Sequence, residues 1–210
     1  MTKELINQIQ RQSRWLMLIV IVVVFCIAYL GTNHLNFIAP HYLPMTNFDK
    51  MIPFLPWTVF IYLSAFLMVG AAVLLFNKKE KDYGRGVFGI IFLLLLQGAV
   101  FVVFPTAYPR PLLPADVSWL SHMAYDLLTF IETSRDCFPS DHIAMTVFVS
   151  LVLWRRGRLL GGISFFWTIL VAISTLTLKQ HYIVDVFAGI TVAAITYYWL
   201  FSSKKRYRIL

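Results

Sequence analysis

His181-Tyr182-Ile183-Val184-Asp185 opens onto the uncharged run VFAGITVAAITYYWLF at 186–201. A membrane span needs roughly 20 mostly apolar residues, so segment 182–201 reads as one. Ionisable residues at the edge of a span are costly, and they mark a functional site by default. Positions four apart share one face of a helix. On such a face Asp185 accepts a hydrogen bond from one ring nitrogen of His181. That fixes the tautomer, raises basicity and leaves the other nitrogen free to attack. Alone, the pair fits a second reading equally well, a buried pair that steadies the start of the span.

Working outward, five further segments read as spans: 15–30, 57–76, 87–104, 143–154 and 159–178. Segment 143–154 is too short by itself and is expected to begin nearer Pro139. Segment 15–30 resembles a signal peptide only in position. Its apolar core is too long and no small-residue cleavage site follows, so an anchor is expected. The chain is 59% hydrophobic and 13% charged over 210 residues, with a mean hydropathy of +0.73. That composition excludes a soluble domain of this size. The expected fold is all-α, a six-transmembrane-helix bundle forming a single domain over 1–210, with a short outer amphipathic helix.

The net charge of +8 raises nucleic acid as a partner, but the basic residues flank apolar segments, as they do in membrane proteins. No nucleic-acid partner is expected. Cys26 lies at membrane depth and Cys137 beside the candidate site, which argues against a disulfide between them. Of the eighteen Lys and Arg, only Lys50, Arg110, Arg135 and Lys179 fall in alternate loops; the others flank the opposite ends of the spans. The bias places both termini in the cytoplasm and His142, His181, Asp185 and Arg110 at the outer face. A bacterial plasma membrane is the expected location.

Two outer loops have content. Loop 31–56 carries Pro40, Pro44, Pro53 and Pro56, which oppose a continuous helix, and its Phe37, Ile38 and Phe54 are candidates to dip into the interface. Segment 116–132 has apolar residues at helical spacing from Val117 to Ile131 behind Asp116, a candidate N-cap. It predicts an amphipathic helix, lying either on the outer membrane surface or over the spans.

Two more clusters carry chemistry. Pro139-Ser140-Asp141-His142 signals a helix start. The first N–H groups of that helix lack partners and favour a phosphate. Ser140 adds a hydroxyl and a cap, and His142 stands where it can protonate a leaving group. Thr106-Ala107-Tyr108-Pro109-Arg110-Pro111 holds a guanidinium suited to bidentate phosphate contacts, or to an interfacial anchor that snorkels to headgroups.

Together the three clusters resemble the type 2 phosphatidic acid phosphatase superfamily. Its pattern is Lys-x6-Arg-Pro, then Pro-Ser-Gly-His, then Ser-Arg-x5-His-x3-Asp, on six spans. Arg110-Pro111 matches the end of the first motif. Pro139-Ser140-Asp141-His142 matches the second, with Asp141 in place of Gly. Ser174, His181 and Asp185 match the third at its spacing. Val103 and Thr175 stand where the family has phosphate-binding Lys and Arg. The reduced pattern is similar to the branch that includes inositol phosphorylceramide synthase and, more distantly, sphingomyelin synthase. Stretch 49–57 also resembles that branch.

The resemblance implies a metal-free and cofactor-free reaction through a phosphohistidine. His181 attacks phosphorus, Asp185 orients it, and His142 protonates the departing lipid oxygen. Arg110, Ser140 and the amides near Asp141 hold the phosphoryl oxygens, with Arg135 or Lys179 replacing the missing cations. The implied activity is a lipid phosphate phosphatase in the bilayer. The alternatives are a lipid headgroup phosphotransferase with the same residues and a non-catalytic phospholipid-binding membrane protein.

Overall fold

A computed structural model describes residues 1–34, 38–76 and 82–202. Phe37 and the basic residues Lys78, Lys79, Lys81 and those at 204–208 lie outside the described residues. The chain forms α1 (Thr2–Arg11), then α2 (Arg14–Phe25), which continues through a π turn at Cys26–Leu30 into α3 (Gly31–His34). After the two-residue strand β1 (His41–Tyr42) come α4 (Asn47–Met51), a 3-10 turn at Pro56–Thr58 and α5 (Val59–Leu75). Next are α6 (Asp82–Val103), β2 (Thr106–Ala107), α7 (Trp119–Ile131), α8 (Asp141–Arg156), α9 (Arg158–Thr177) and α10 (Ile183–Phe201).

Five described helical stretches are long and apolar enough to cross a membrane: Arg14–His34, Pro56–Leu75, Asp82–Val103, Arg158–Thr177 and Ile183–Phe201. They mark an integral membrane protein. The sixth expected segment is α8, which begins at Asp141, close to the expected start. At 16 residues it is about 24 Å long. It is the middle of the bundle, packed on α5, α6, α9 and α10, and every residue from Asp141 to Ser150 is buried.

Among lipid-like chains there is little hydrophobic drive for helices to associate, so close approach depends on small residues. Gly189 of α10 shows the consequence for the site. A Cβ there would lie 2.7 Å from the carbonyl oxygen of Ser140. Only glycine lets the start of α8 meet α10, and at that meeting the Ser140 amide donates to the Asp185 carbonyl at 3.1 Å. At the opposite end of α8, Arg155 donates to Asp82 at 2.8 Å and ties α8 to α6.

Several local expectations are corrected. A small strand pairing appears in an otherwise helical chain: β1 runs parallel to β2, with His41 opposite Thr106 and Tyr42 opposite Ala107. Ala107 also bridges Arg135, so this ladder fastens the first motif to the loop before the second. Helix α7 starts behind Ser118, whose hydroxyl accepts from the Ser121 amide, and Asp116 does not cap it. One face of α7, with Ser121, Tyr125 and Leu128, is buried, while Trp119, Leu120, Leu127 and Phe130 are exposed. The helix packs over α5 and presents exposed apolar residues on its other side. Phe54 packs edge-on against Tyr125 at 6.0 Å instead of standing free. The sequence also gave no warning of α1, whose Gln10 side chain accepts from the Gly84 amide at 2.6 Å.

Candidate active site

The site is assembled by two turns. Between α9 and α10, Lys179 takes a φ of 55°, and between α7 and α8, Asp136 takes a φ of 64°. Non-glycine residues rarely adopt this left-handed conformation, though Asp tolerates it better than most. Tertiary contacts hold both. Asp136 accepts from the Thr32 hydroxyl at 3.0 Å, and burial pushes its carboxyl up to about 6 against the pull of Thr32 and Asn33. The Lys179 ammonium donates to the Asp49 carbonyl at 2.8 Å.

His181 is not on a helix, as the four-residue spacing suggested. It lies just before α10, which begins at Ile183. The pair forms nonetheless, with Nδ1 of His181 3.4 Å from Oδ2 of Asp185. A closer partner is the Cys137 carbonyl, 2.9 Å from the same nitrogen. A carbonyl oxygen only accepts, so Nδ1 carries the proton and Nε2 keeps its lone pair. Asp185 is fully buried. Its Oδ2 also accepts from the Tyr182 amide at 2.8 Å, and its Oδ1 has no protein partner.

His142 faces this ring, with the two centroids 6.2 Å apart. Tyr62 packs against it at 4.1 Å, and Phe66 and Tyr29 meet it edge-on at 5.0 and 6.2 Å. The ring is thereby fixed. Neither of its nitrogens has a hydrogen-bond partner in the protein, and buried polar atoms without partners are uncommon. Ser140 corrects a second expectation. Its hydroxyl makes no cap bond to α8 and is a further buried atom without a partner. Asp141, on the first turn, accepts from Gln97 at 2.6 Å.

Arg110 donates through Nη1 to the Glu132 carbonyl at 2.7 Å and through Nη2 to the Thr133 carbonyl at 2.8 Å. These two bonds fix the guanidinium plane, and its Nε is buried and unpaired. Five N–H donors are available on such a group, so donors remain for an anion. The other two candidate cations are employed elsewhere. Besides Lys179 on the Asp49 carbonyl, Nη1 of Arg135 donates to the Ile38 carbonyl at 3.4 Å. Val103 is 77% exposed. Thr175 is buried and donates back to Ala172.

Four participants escaped the sequence reading. Glu132 is buried, with Oε1 3.7 Å from Nε2 of His142 and Oε2 accepting from Tyr62 at 2.8 Å. Burial pushes its carboxyl up, against the Tyr62 hydroxyl and the Arg110 guanidinium. Gln97 supports Asp141, and its signal was a lone amide inside an apolar span. Asp49 accepts from the Thr46 hydroxyl and amide and from the Ile183 amide, pinning the start of α10. Burial raises its carboxyl, but these bonds outweigh that and hold it below its ordinary range. Tyr62 had no signal that distinguished it from other aromatic residues in spans.

Cys137, His181 and Asp185 place possible metal-ligand atoms within 4.8 Å of one another. Burial pushes the Cys137 thiol well up, and metals bind the thiolate. The thiol instead donates to the Ser134 and Gln180 carbonyls at 3.5 and 3.4 Å, so the set fits an orienting shell for His181 better than a metal centre.

The described site thus holds two imidazoles with centroids 6.2 Å apart, one of them backed by a carboxylate, together with a buried serine hydroxyl that has no partner. The sequence pattern of the PAP2 superfamily matches residues 33–199. The chain belongs to that superfamily. A relative is the lipid A 1-diphosphate synthase of Escherichia coli (strain K12), 29% identical over 143 residues. That match takes in 64% of this chain and 60% of the relative, so the chain spans less than two thirds of its length. Superfamily membership agrees with the five described helices that are long and apolar enough to cross a membrane. The likeness to the inositol phosphorylceramide synthase branch rests on the motifs alone.

Proposed function

We propose that this PAP2 protein cleaves a lipid phosphoester through a covalent phosphohistidine on His181, at the outer leaflet. The observation that carries this reading is the His181–His142 pair, whose ring centroids lie 6.2 Å apart, with no hydrogen bond from the described residues at Nε2 of His181. In the first step Nε2 forms a bond to phosphorus and the bond from phosphorus to the lipid oxygen breaks. His142, protonated, gives its proton to that oxygen. Asp185 and the Cys137 carbonyl hold the His181 ring. Arg110, the Ser140 hydroxyl and the first amides of α8 take the phosphoryl oxygens. In the second step His142 removes a proton from the acceptor, which attacks phosphorus and releases His181. Water as acceptor makes a lipid phosphate phosphatase. A second lipid makes a phosphotransferase, the reading favoured by the likeness to an enzyme named for making a diphosphate on lipid A.

The site is poor in cations, and this supports a substrate of low charge. This reading assigns the phosphate to Arg110, whereas carboxylates stand beside both rings, Asp185 at 3.4 Å from His181 and Glu132 at 3.7 Å from His142. Charge-assisted hydrogen bonds are roughly twice as strong as neutral ones, so a dianionic monoester loses most from the missing lysine and arginine. A phosphodiester lipid is expected to outcompete phosphatidic acid, and Lys179→Ala and Arg135→Ala are expected to leave that ratio unchanged. The measurement is product formation by purified protein on both lipids, with and without a lipid hydroxyl acceptor. Preference for the monoester, lost in either variant, would overturn the charge argument. Headgroup appearing on the acceptor identifies a transferase. No turnover in any combination would leave the non-catalytic binding protein as the correct reading.

The membrane arrangement we propose has α8 as the sixth span, shielded from lipid by its neighbours, with α7 on the outer surface and both termini cytoplasmic. Its support is the distribution of Lys and Arg. Leu112→Cys, at a position 94% exposed, should react with a membrane-impermeant maleimide in intact cells, and Arg158→Cys should not. The reverse pattern inverts the topology.

A further inference from the structure

We infer that the apolar cavity beside His142 seats the hydrocarbon chain of the leaving lipid, and that Gly70 limits the length of chain it takes. This rests on the His181–His142 chemistry proposed above. The cavity has a volume of about 430 Å³ and lies between α2, α5, α6 and α8. Leu18, Ile21, Phe25, Phe66, Val69 and Met145 form its walls. At the site end it reaches His142 and Asp141, close to Leu30 and Ile131, and at the far end it reaches Leu18, Gly70 and Ile90. From Leu30 back to Leu18 is about 18 Å of helix. Packed interiors have few voids larger than a water molecule, and a cavity of this volume falls in the range of ligand sites.

The reaction geometry says which part of a lipid belongs there. In phosphoryl transfer the attacking and leaving atoms lie roughly in line across phosphorus. With His181 attacking, the leaving oxygen and the chain attached to it must lie on the His142 side. The cavity begins on that side. Its walls offer hydrocarbon contact along their length, and its acid–base groups stand at the end where the ester oxygen would sit.

Gly70 closes the far end by its position. It lines the cavity, and a Cβ built on it meets nothing within 4 Å. It lies eight residues beyond Tyr62, or about 12 Å along α5, and Tyr62 is the residue stacked on His142. Because position 70 lines the cavity and its Cβ has open space, a larger side chain there is expected to shorten the space left for a chain.

The test uses the full-length protein in detergent, with hexyl and hexadecyl esters of whichever phosphoryl headgroup the competition assay finds turned over. Gly70→Phe should lower kcat/KM for the hexadecyl ester by at least about tenfold, since a single methylene in an apolar pocket discriminates by about 10- to 200-fold. The hexyl ester should be unaffected. Gly70→Leu should show the same signature at smaller size. Gly162→Phe, whose Cβ also meets nothing within 4 Å but which does not line the cavity, should change neither. Losses independent of chain length in both Gly70 variants, or no loss in either, overturn the chain seat. Binding separates this from failure of the catalytic reading. Calorimetric titration of the hexadecyl ester into His181→Ala protein should show binding that the added Gly70→Phe weakens. Weakened binding with an inactive parent protein would sink the chemistry and keep the seat, whereas equal binding would sink the seat whatever turnover shows.

Discussion

His181→Ala is expected to abolish turnover of every phosphoester and to eliminate any acid-labile phosphoprotein trapped by rapid quenching. Removing a covalent nucleophile costs on the order of a millionfold. No other group near the phosphoryl position combines a free lone pair with a carboxylate behind it. The Cys137 thiol is held neutral by burial and points its proton at carbonyls. The neutral Ser140 hydroxyl would need a base, and no nitrogen or carboxylate is hydrogen-bonded to it. His142 faces the leaving side. A phosphorylated intermediate that survives in His181→Ala protein would assign the nucleophile elsewhere.

His142→Ala is expected to cost about 100- to 10,000-fold on an alkyl phosphoester, the typical worth of general acid–base assistance, and far less on an activated aryl ester. An alkoxide is a poor leaving group and needs a proton as the bond to phosphorus breaks; a nitrophenolate does not. The surroundings of His142 suit this task. The ring is fixed by Tyr62, Phe66 and Tyr29, it has no competing hydrogen bond, and Glu132 stands 3.7 Å from Nε2. Equal losses on the two esters would remove the acid role from His142 and leave it as a binding group. The comparison is of kcat/KM for both esters at one pH, in wild-type and variant protein.

Much of this protein was legible in one dimension. Membrane spans declare themselves by length and hydropathy because an apolar solvent requires the whole stretch to be apolar. The expected segments recur within a few residues, including the early start of the short one that became α8. The order of Arg110, His142, His181 and Asp185 along the chain identified the superfamily, because each residue type is scarce in spans and its spacing is informative. The lone Gln97 was equally visible but was not used.

What hydropathy could not supply was direction and partnership. His181 and Asp185 looked like two rungs of one helix, yet the ring takes its tautomer from a backbone carbonyl 44 residues away, and no pattern of side chains encodes a carbonyl. Glu132 looked like the polar end of an amphipathic helix. It became the buried neighbour of His142 only because the chain turns at Asp136 between α7 and α8. Lys179 and Arg135 had the right charge in the right loops to replace the missing cations, but their donors go to the Asp49 and Ile38 carbonyls. The absence of side-chain bulk at Gly189 lets α8 and α10 touch and so brings the two histidine motifs together. Sequence determined which segments are long and apolar enough to cross a membrane and which superfamily motifs stand at their ends, since both depend on local composition. Tertiary structure decided which atoms face one another, since hydrogen-bond geometry is set across turns and between helices whose separation in the chain says nothing about their separation in space.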